Sequence, residues 1–345
     1  MQIKSYEEIT QSDYEKYVRS YDDSMIYLSS IYKKMLEKIL EADSRYLIAV
    51  ENEDIVGILP TFIKRSKKYG NVINSLPFYG SNGGFLASSK EAKQELLKAY
   101  NELVKEEKCV SGTIITSPFE KDNDWYKENV EYTYIDNRIG QVTVYPENFE
   151  KNEANLMDLF HYKTRNSIRK AEKCALTVYK KNDEEAWDYL YKTHVISMEH
   201  IGGIAKKSHF FEYVKNIFKE NKDYCIYVAE YDNEIIAACL LFYYNTTVEY
   251  FVPVTTEGYR NMQPLSKIIY EAMKDSIHAG YNRWNWGGTW ITQEGVYNFK
   301  KKWGTEDYPY YYYNKIYDKK ILEIEKQELL EEFEYFYVIP FSVLG

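Results

Sequence analysis

Two stretches built to the same plan lie half a chain apart, and this repetition limits the possible folds more than any other feature. Tyr46-Leu-Ile-Ala-Val-Glu51 and Ile55-Val-Gly-Ile-Leu-Pro-Thr-Phe-Ile63 read as two strands joined by Asn52-Glu53-Asp54. Cys225-Ile-Tyr-Val-Ala-Glu230 and Glu234-Ile-Ile-Ala-Ala-Cys-Leu-Leu-Phe242 repeat the pattern around Asp232-Asn233. The copies are about 180 residues apart in a chain of 345, which predicts an internal duplication with one hairpin per domain. A chain of this length also exceeds what one hydrophobic core usually serves. Domains are therefore expected at 1–145 and 146–345, the boundary falling where a strand-like run gives way to polar residues at Tyr145-Pro146-Glu147-Asn148.

The elements around each hairpin are compatible with one α/β plan. In the first half, helical periodicity from Met25 to Leu40 precedes the hairpin. In the second, Val248 to Val254 reads as a strand, followed by a polar connection and a helix from Pro264 to Ala279. Pro264 suits a first helical turn, where its missing N–H is not needed, and Gly280 suits the stop. A strand from Asn282, a short helix over Val296 to Lys302 and a strand over Tyr308 to Ile316 complete the order.

Composition narrows the setting. Net charge is -9, which argues against a globally basic nucleic-acid-binding domain while leaving room for local basic patches, and no DNA partner is expected. The four cysteines, Cys109, Cys174, Cys225 and Cys239, show no C-x-x-C spacing, and the last two sit in apolar runs typical of buried free thiols. The polar opening Met1-Gln-Ile-Lys-Ser lacks the plan of a secretion signal, and no apolar run reaches membrane-spanning length. A cytoplasmic protein is expected, with peripheral membrane contact the only kind allowed. His194, Glu199, His200 and His209 match no metal-ligand spacing, so no metal is expected. No G-x-S-x-G segment occurs, and no cysteine has a nucleophile's surroundings.

Two motifs carry the chemistry. Lys163-Thr-Arg-Asn-Ser-Ile-Arg-Lys-Ala-Glu-Lys173 places Arg165, Arg169 and Lys173 at intervals of four, a cationic stripe along one helix face able to hold phosphates or carboxylates. Read on residues alone, the same stripe is a solvated helix face. Phe299-Lys300-Lys-Lys-Trp303-Gly304 places Phe299 and Trp303 on one face directed at the core, with Lys300 pointing elsewhere.

Together these segments resemble the FemAB-related branch of the GNAT-like acyltransferases, and the resemblance covers nearly the whole chain. It implies an α/β (α+β) fold of two tandem GNAT-like domains, mixed central sheets flanked by helices. The long coiled-coil arm of some relatives has no counterpart, since no heptad pattern is present. The implied activity is N-acyl transfer, aminoacyl or acyl, to an amine of a cell-envelope precursor such as a peptidoglycan peptide or an amino sugar. That acceptor would be a small molecule, lipid-linked or nucleotide-linked. No tightly bound cofactor is implied. The donor is an aminoacyl-tRNA, with tRNA as a partner, or an acyl-CoA.

In the family, Lys300 corresponds to the motif lysine at the catalytic cavity, and the segment bearing Arg165 and Arg169 lies against the acceptor. Cys174-Ala175 stands where that pattern usually carries Gly, a departure at the helix stop. The first-domain run Ser75-Leu-Pro-Phe-Tyr79-Gly-Ser-Asn-Gly83-Gly84 resembles a family segment near the acceptor, so Tyr79, Gly83 and Gly84 would border the cleft. A turn needing Gly for positive φ is the plainer reading. The connection Thr255-Thr-Glu257-Gly-Tyr259-Arg260-Asn-Met-Gln263 occupies the position of the phosphate-binding loop in GNAT-like domains. It lacks their paired glycines, which weakens a coenzyme A reading, and it brings forward Tyr259 and Arg260 as substrate contacts. Glu257 and Glu294 are the carboxylates expected to accept the amine proton during direct attack without a covalent intermediate. The alternative from another class is a non-catalytic protein that keeps the fold and binds a glycan or a partner.

Overall fold

The structure, a computed structural model, describes residues 1–78, 82–145, 153–290 and 292–343. In chain order the first part holds β1 (Gln2–Ser5), α1 (Gln11–Arg19), α2 (Ser30–Ile39), β2 (Asp43–Ser44), β3 (Leu47–Glu51), β4 (Asp54–Leu59), β5 (Phe62–Lys64) and β6 (Asn71–Asn74). Then come β7 (Leu86–Ala87), α3 (Lys90–Glu106), β8 (Cys109–Ile115), α4 (Asn123–Asn129) and β9 (Tyr134–Val144). The second part runs through α5 (Glu153–Leu159), α6 (Tyr162–Glu172), β10 (Thr177–Lys180), α7 (Glu184–His200), α8 (Ser208–Ile217), β11 (Tyr224–Tyr231), β12 (Glu234–Tyr244) and β13 (Thr247–Thr255). It continues with α9 (Pro264–His278), β14 (Arg283–Thr289), α10 (Glu294–Lys301), β15 (Glu306–Ile316) and α11 (Lys326–Glu332).

The duplication is present down to local backbone. Asn52 and Glu53 turn the β3–β4 hairpin with φ of 50° and 72°, and Asp232 and Asn233 turn β11–β12 with φ of 53° and 63°. Two consecutive left-handed residues match the right-handed twist of the flanking strands, as in a type I′ turn. The pairing register slips after Ala49 in one hairpin and after Ala229 in the other, three residues before the turn in each. A parallel strand-helix-strand crossover follows both hairpins: β6–α3–β8 and β13–α9–β14.

Two compact units result. One comprises Met1–Ile139 with Pro309–Gly345, the other Gly140–Tyr308. The chain passes from unit to unit inside β9 and β15. The segment after Tyr308, expected to close the second domain, therefore belongs to the first unit. There β15 pairs antiparallel with β8 from Tyr312↔Ile115 to Ile316↔Ser111. Asn314 donates to Val338 O at 2.9 Å, and Asn74 exchanges two hydrogen bonds with the backbone of Tyr337. The apolar run after Phe333 is thus tied to unit 1 by buried asparagines, in turns rather than a helix.

Within unit 1 the strands form two sheets. One has the order β1-β3-β4-β7; the other runs through β15, β8, β6, β5 and β2. Pro60 sits at the division. The sequence reading carried one strand from Ile55 to Ile63, but proline has no N–H for the ladder, and the chain instead makes β4 and β5 in different sheets. Likewise Ser29 caps α2 by accepting from Tyr32 N, which starts that helix later than the periodicity suggested.

Unit 2 keeps one run of strands, β10-β11-β12-β13-β14. One face packs against α6 and α9 through Val248, Ile268, Met273, Trp284, Trp286 and Trp303, all buried. On the other, Phe242 and Phe251 of the sheet meet Phe210 of α8, whose Phe211 packs on Trp187 of α7. His194 lies on this side, buried and accepting from Lys206 N at 3.0 Å; burial first, then the Lys206 charge, lowers its pKa to about 4. It is a neutral core histidine.

Candidate active site

β13 and β14 pair only as Thr247↔Arg283, Val248↔Trp284 and Glu249↔Asn285; β13 then runs on to Thr255 and β14 to Thr289 outside that register. Where the ladder ends, buried Glu249 accepts from Asn285 Nδ2 at 2.8 Å, and Asn285 Oδ1 accepts from Gly287 N at 2.9 Å. Gly287 has φ +73°, a conformation that turns the carbonyls of the strand end away from regular pairing and that other residues seldom adopt.

Those carbonyls receive Lys300. Its Nζ donates to Gly287 O and Gly288 O at 3.2 Å each and to Thr289 Oγ1 at 2.9 Å. Thr289 donates to Gln141 Oε1, while Gln141 Nε2 donates to Tyr297 O, so a buried chain of amide and hydroxyl groups holds the lysine in place. Lys300 is 7% exposed and forms no ion pair among the described residues. Burial disfavours its ammonium and brings the pKa down to about 8. The expectation that Lys300 points away from the core is corrected here. Trp303 is buried as expected, but Phe299 is 39% exposed and Lys300 is covered, because Trp303 lies past the end of α10, in the turn that Gly304 closes.

The two sequence motifs meet physically. Lys302 O accepts from His161 N at 2.9 Å and from Thr164 Oγ1 at 3.0 Å. The Phe160 ring stands edge-on to Trp303 at 5.0 Å. Gly304 has φ +73°, and a Cβ there would lie 2.6 Å from Leu159 O, so no other residue fits this junction without a shift. α6 is thereby fixed against the end of α10. Arg165, half-buried, donates to Phe160 O at 3.0 Å; Arg169 is exposed. The Cys174-Ala175 departure also has its answer, since Ala175 itself takes the left-handed conformation, φ 52°, that ends α6.

Other expected residues sit elsewhere. Glu257 and Arg260 are exposed in a 3₁₀ turn over Glu257–Met262, and half-buried Tyr259 packs on the core near Tyr231. In that turn Tyr259 N donates to Thr256 O and Gln263 N to Arg260 O, so those amides are spent on the chain itself rather than offered to phosphate. Glu294 is exposed at the start of α10. Gly83 and Gly84 line a pocket of about 260 Å³ in unit 1, with Lys93 and Glu120 among its other walls. Neither has positive φ: a Cβ on Gly83 would lie 2.2 Å from Leu76 Cδ1, and one on Gly84 2.3 Å from Tyr126 Oη, so close packing requires them, not a turn. Tyr79 lies outside the described residues.

Sequence reasoning missed Glu249, Gln141 and Thr289. Glu249 had a readable signal, a lone carboxylate inside the aromatic strand Thr247-Val-Glu-Tyr-Phe251.

Residues 160–301 match the family model of the acetyltransferase (GNAT) domain. Among solved structures, FemX aligns with a TM-score of 0.75 and 16% identity, covering 94% of this chain and 99% of that one. L-PGS from Bacillus licheniformis aligns at 0.55 and 10% identity, over 88% of this chain and 96% of that one. A tandem GNAT protein from the clavulanic acid biosynthesis pathway aligns at 0.54 and 6% identity, over 91% and 98%. No curated protein sequence matches. The chain has the tandem GNAT-like fold, and the match to the acetyltransferase (GNAT) family model lies within its second unit.

Proposed function

We propose that this protein is a FemAB-related N-aminoacyltransferase that passes an aminoacyl group from an aminoacyl-tRNA to an amine of a cell-envelope precursor. The observation that carries the reading is Lys300: a buried ammonium with no carboxylate partner among the described residues, held at the end of β14 where β13 and β14 part. An ammonium kept among neutral oxygens can release one of them to meet charge developing on an attacked carbonyl.

The acceptor nitrogen attacks the ester carbonyl carbon. The new N–C bond forms, the C–O bond to the ribose breaks, and the amine proton ends on the departing ribose oxygen. Lys300 steadies the oxyanion between these events. Glu249, sheltered beside the parted strands, is a better proton carrier than exposed Glu257 or Glu294. Arg165 offers a fixed guanidinium for a phosphate or carboxylate of the acceptor. The choice of tRNA over coenzyme A is supported by the 3₁₀ turn before α9, where the Tyr259 and Gln263 amides already donate to the chain itself.

The test supplies charged tRNA or acyl-CoA together with amine-bearing envelope precursors and follows transfer by mass spectrometry. Transfer from charged tRNA that disappears after RNase treatment is expected. Transfer from acyl-CoA that survives RNase overturns the donor. Tight precursor binding with no turnover, unaffected by Lys300→Ala, identifies the non-catalytic binding protein instead.

A further inference from the structure

α6 differs from the other helices in how it treats its charges. On four other helices a lysine finds a carboxylate one turn away: Lys33–Glu37 on α2, Lys127–Asp124 on α4, Lys192–Asp188 on α7 and Lys274–Glu271 on α9. Between Tyr162 and Cys174, five cations stand against the single carboxylate Glu172, a local excess of four positive charges in a chain of net charge -9. Lys163, Arg169, Lys170 and Lys173 are all exposed, and none has a side-chain hydrogen bond or ion pair among the described residues.

Their placement is ordered. At 3.6 residues per turn, Tyr162, Lys163, Arg169, Lys170 and Lys173 fall within about a third of the helix circumference, opposite buried Thr164, Ile168 and Ala171. From Tyr162 to Lys173 the row extends about 16 Å at 1.5 Å per residue. At its head, Tyr162 is 54% exposed and lies against the exposed His161 ring, centroids 4.4 Å apart and planes at 40°.

A row of unpaired cations on a convex helix does not converge on one small anion. A membrane surface would call for exposed aliphatic side chains among the cations, and this face has none. Spaced cations that follow a phosphate backbone, with an aromatic pair on which a base can stack, fit a nucleic acid strand. We propose that the outer face of α6, with the His161–Tyr162 pair, is the docking surface for the RNA body of the donor. This rests on the donor assigned above, and it adds where that donor is gripped away from the reacting ester.

The experiment measures binding of uncharged total tRNA by fluorescence polarisation across a salt series, using the full chain. Replacing Lys163, Arg169, Lys170 and Lys173 together by Ala should weaken binding roughly 30-fold or more. It should also lower the slope of log K against log salt by about 3, one unit or slightly less per lost phosphate contact. Tyr162→Ala should weaken binding about 5-fold or more through lost stacking while leaving the slope unchanged. A variant keeping charge, Lys163→Arg with Lys170→Arg and Lys173→Arg, should bind as the parent does, which separates charge from any effect on folding.

Transfer from an aminoacylated trinucleotide should survive replacement of Lys163, Lys170 and Lys173 by Ala, whereas transfer from full-length charged tRNA falls. Unchanged tRNA affinity and slope in the fourfold variant overturn the surface while leaving the donor reading intact. Loss of binding to anionic phospholipid vesicles, with tRNA binding kept, also overturns it. A parent that transfers from acyl-CoA and not from charged tRNA sinks both together.

Discussion

Among the described residues, the first unit buries two lysines and gives each a carboxylate; the second buries one and gives it none. Lys33 meets Glu37 at 2.5 Å and lies over the Tyr6 ring, and Lys93 meets Glu120 at 3.1 Å between Trp125 and Tyr126. Lys300 has only two carbonyls and a hydroxyl. A paired buried charge is satisfied within the fold, whereas an ammonium held by neutral oxygens can be drawn toward a stronger partner. The same fold, used twice, thus separates a copy whose buried charges are structural from a copy whose buried charge is available for chemistry.

The sharpest way to break this contrast is to remove one lysine from each copy. Lys300→Ala should lower kcat by about 10²- to 10³-fold, the usual effect of losing one oxyanion donor, with little change in urea stability. Lys93→Ala strands Glu120 as a buried charge and should cost roughly 3 kcal/mol in urea melts, leaving turnover per folded molecule intact. If Lys300→Ala proves as destabilising as Lys93→Ala and the residual enzyme turns over normally, both lysines are structural.

Next in size is the junction that fixes α6 to the end of α10. Gly304→Ala meets both a left-handed φ and a backbone oxygen at 2.6 Å, and should destabilise by roughly 2 kcal/mol, read from thermal unfolding.

The pH dependence of Lys300 gives a smaller but more specific effect. With its pKa lowered to about 8, the ammonium is present below that value and lost above it, so kcat at saturating substrates should fall as pH rises through 8. Lys300→Arg, which stays charged, should lack that limb. For stability the sign is opposite. Between about 8 and the unfolded lysine value near 10.4 the folded chain binds fewer protons than the unfolded one. Stability measured against Lys300→Met should therefore rise with pH across that window.

The smallest change expected is a gain. Ala175 ends α6 with φ 52°, and Ala175→Gly should stabilise unit 2 by about 1 kcal/mol in a melting experiment, with no effect on unit 1.

Much of the scaffold was readable because the rules behind it are local. Asn52-Glu53 and Asp232-Asn233 could be placed as turns from composition and spacing, as could Pro264 at a helix start and Gly280 at its stop, with φ +92°. Pro60 obeys the same kind of local rule, dividing β4 from β5. The site was readable only in part. Lys300, Trp303 and Gly304 stood out through a motif, and Arg165 through its spacing, while Glu257 and Glu294 are exposed carboxylates. Gln141 and Thr289, which hold Lys300, are 148 residues apart in the chain and carry no local pattern.

By itself, the amino-acid order determined a repeated hairpin, the helices that follow it and a basic helix beside a lysine motif, because turn chemistry, proline geometry and hydrophobic period act over a few residues. Only the tertiary structure decided that the last 37 residues complete the first unit, that β13 and β14 part after Glu249, and that Lys300 is buried with no carboxylate partner among the described residues. Those outcomes depend on which distant backbone and side-chain groups satisfy one another once water is excluded, and that choice is made between segments far apart along the chain.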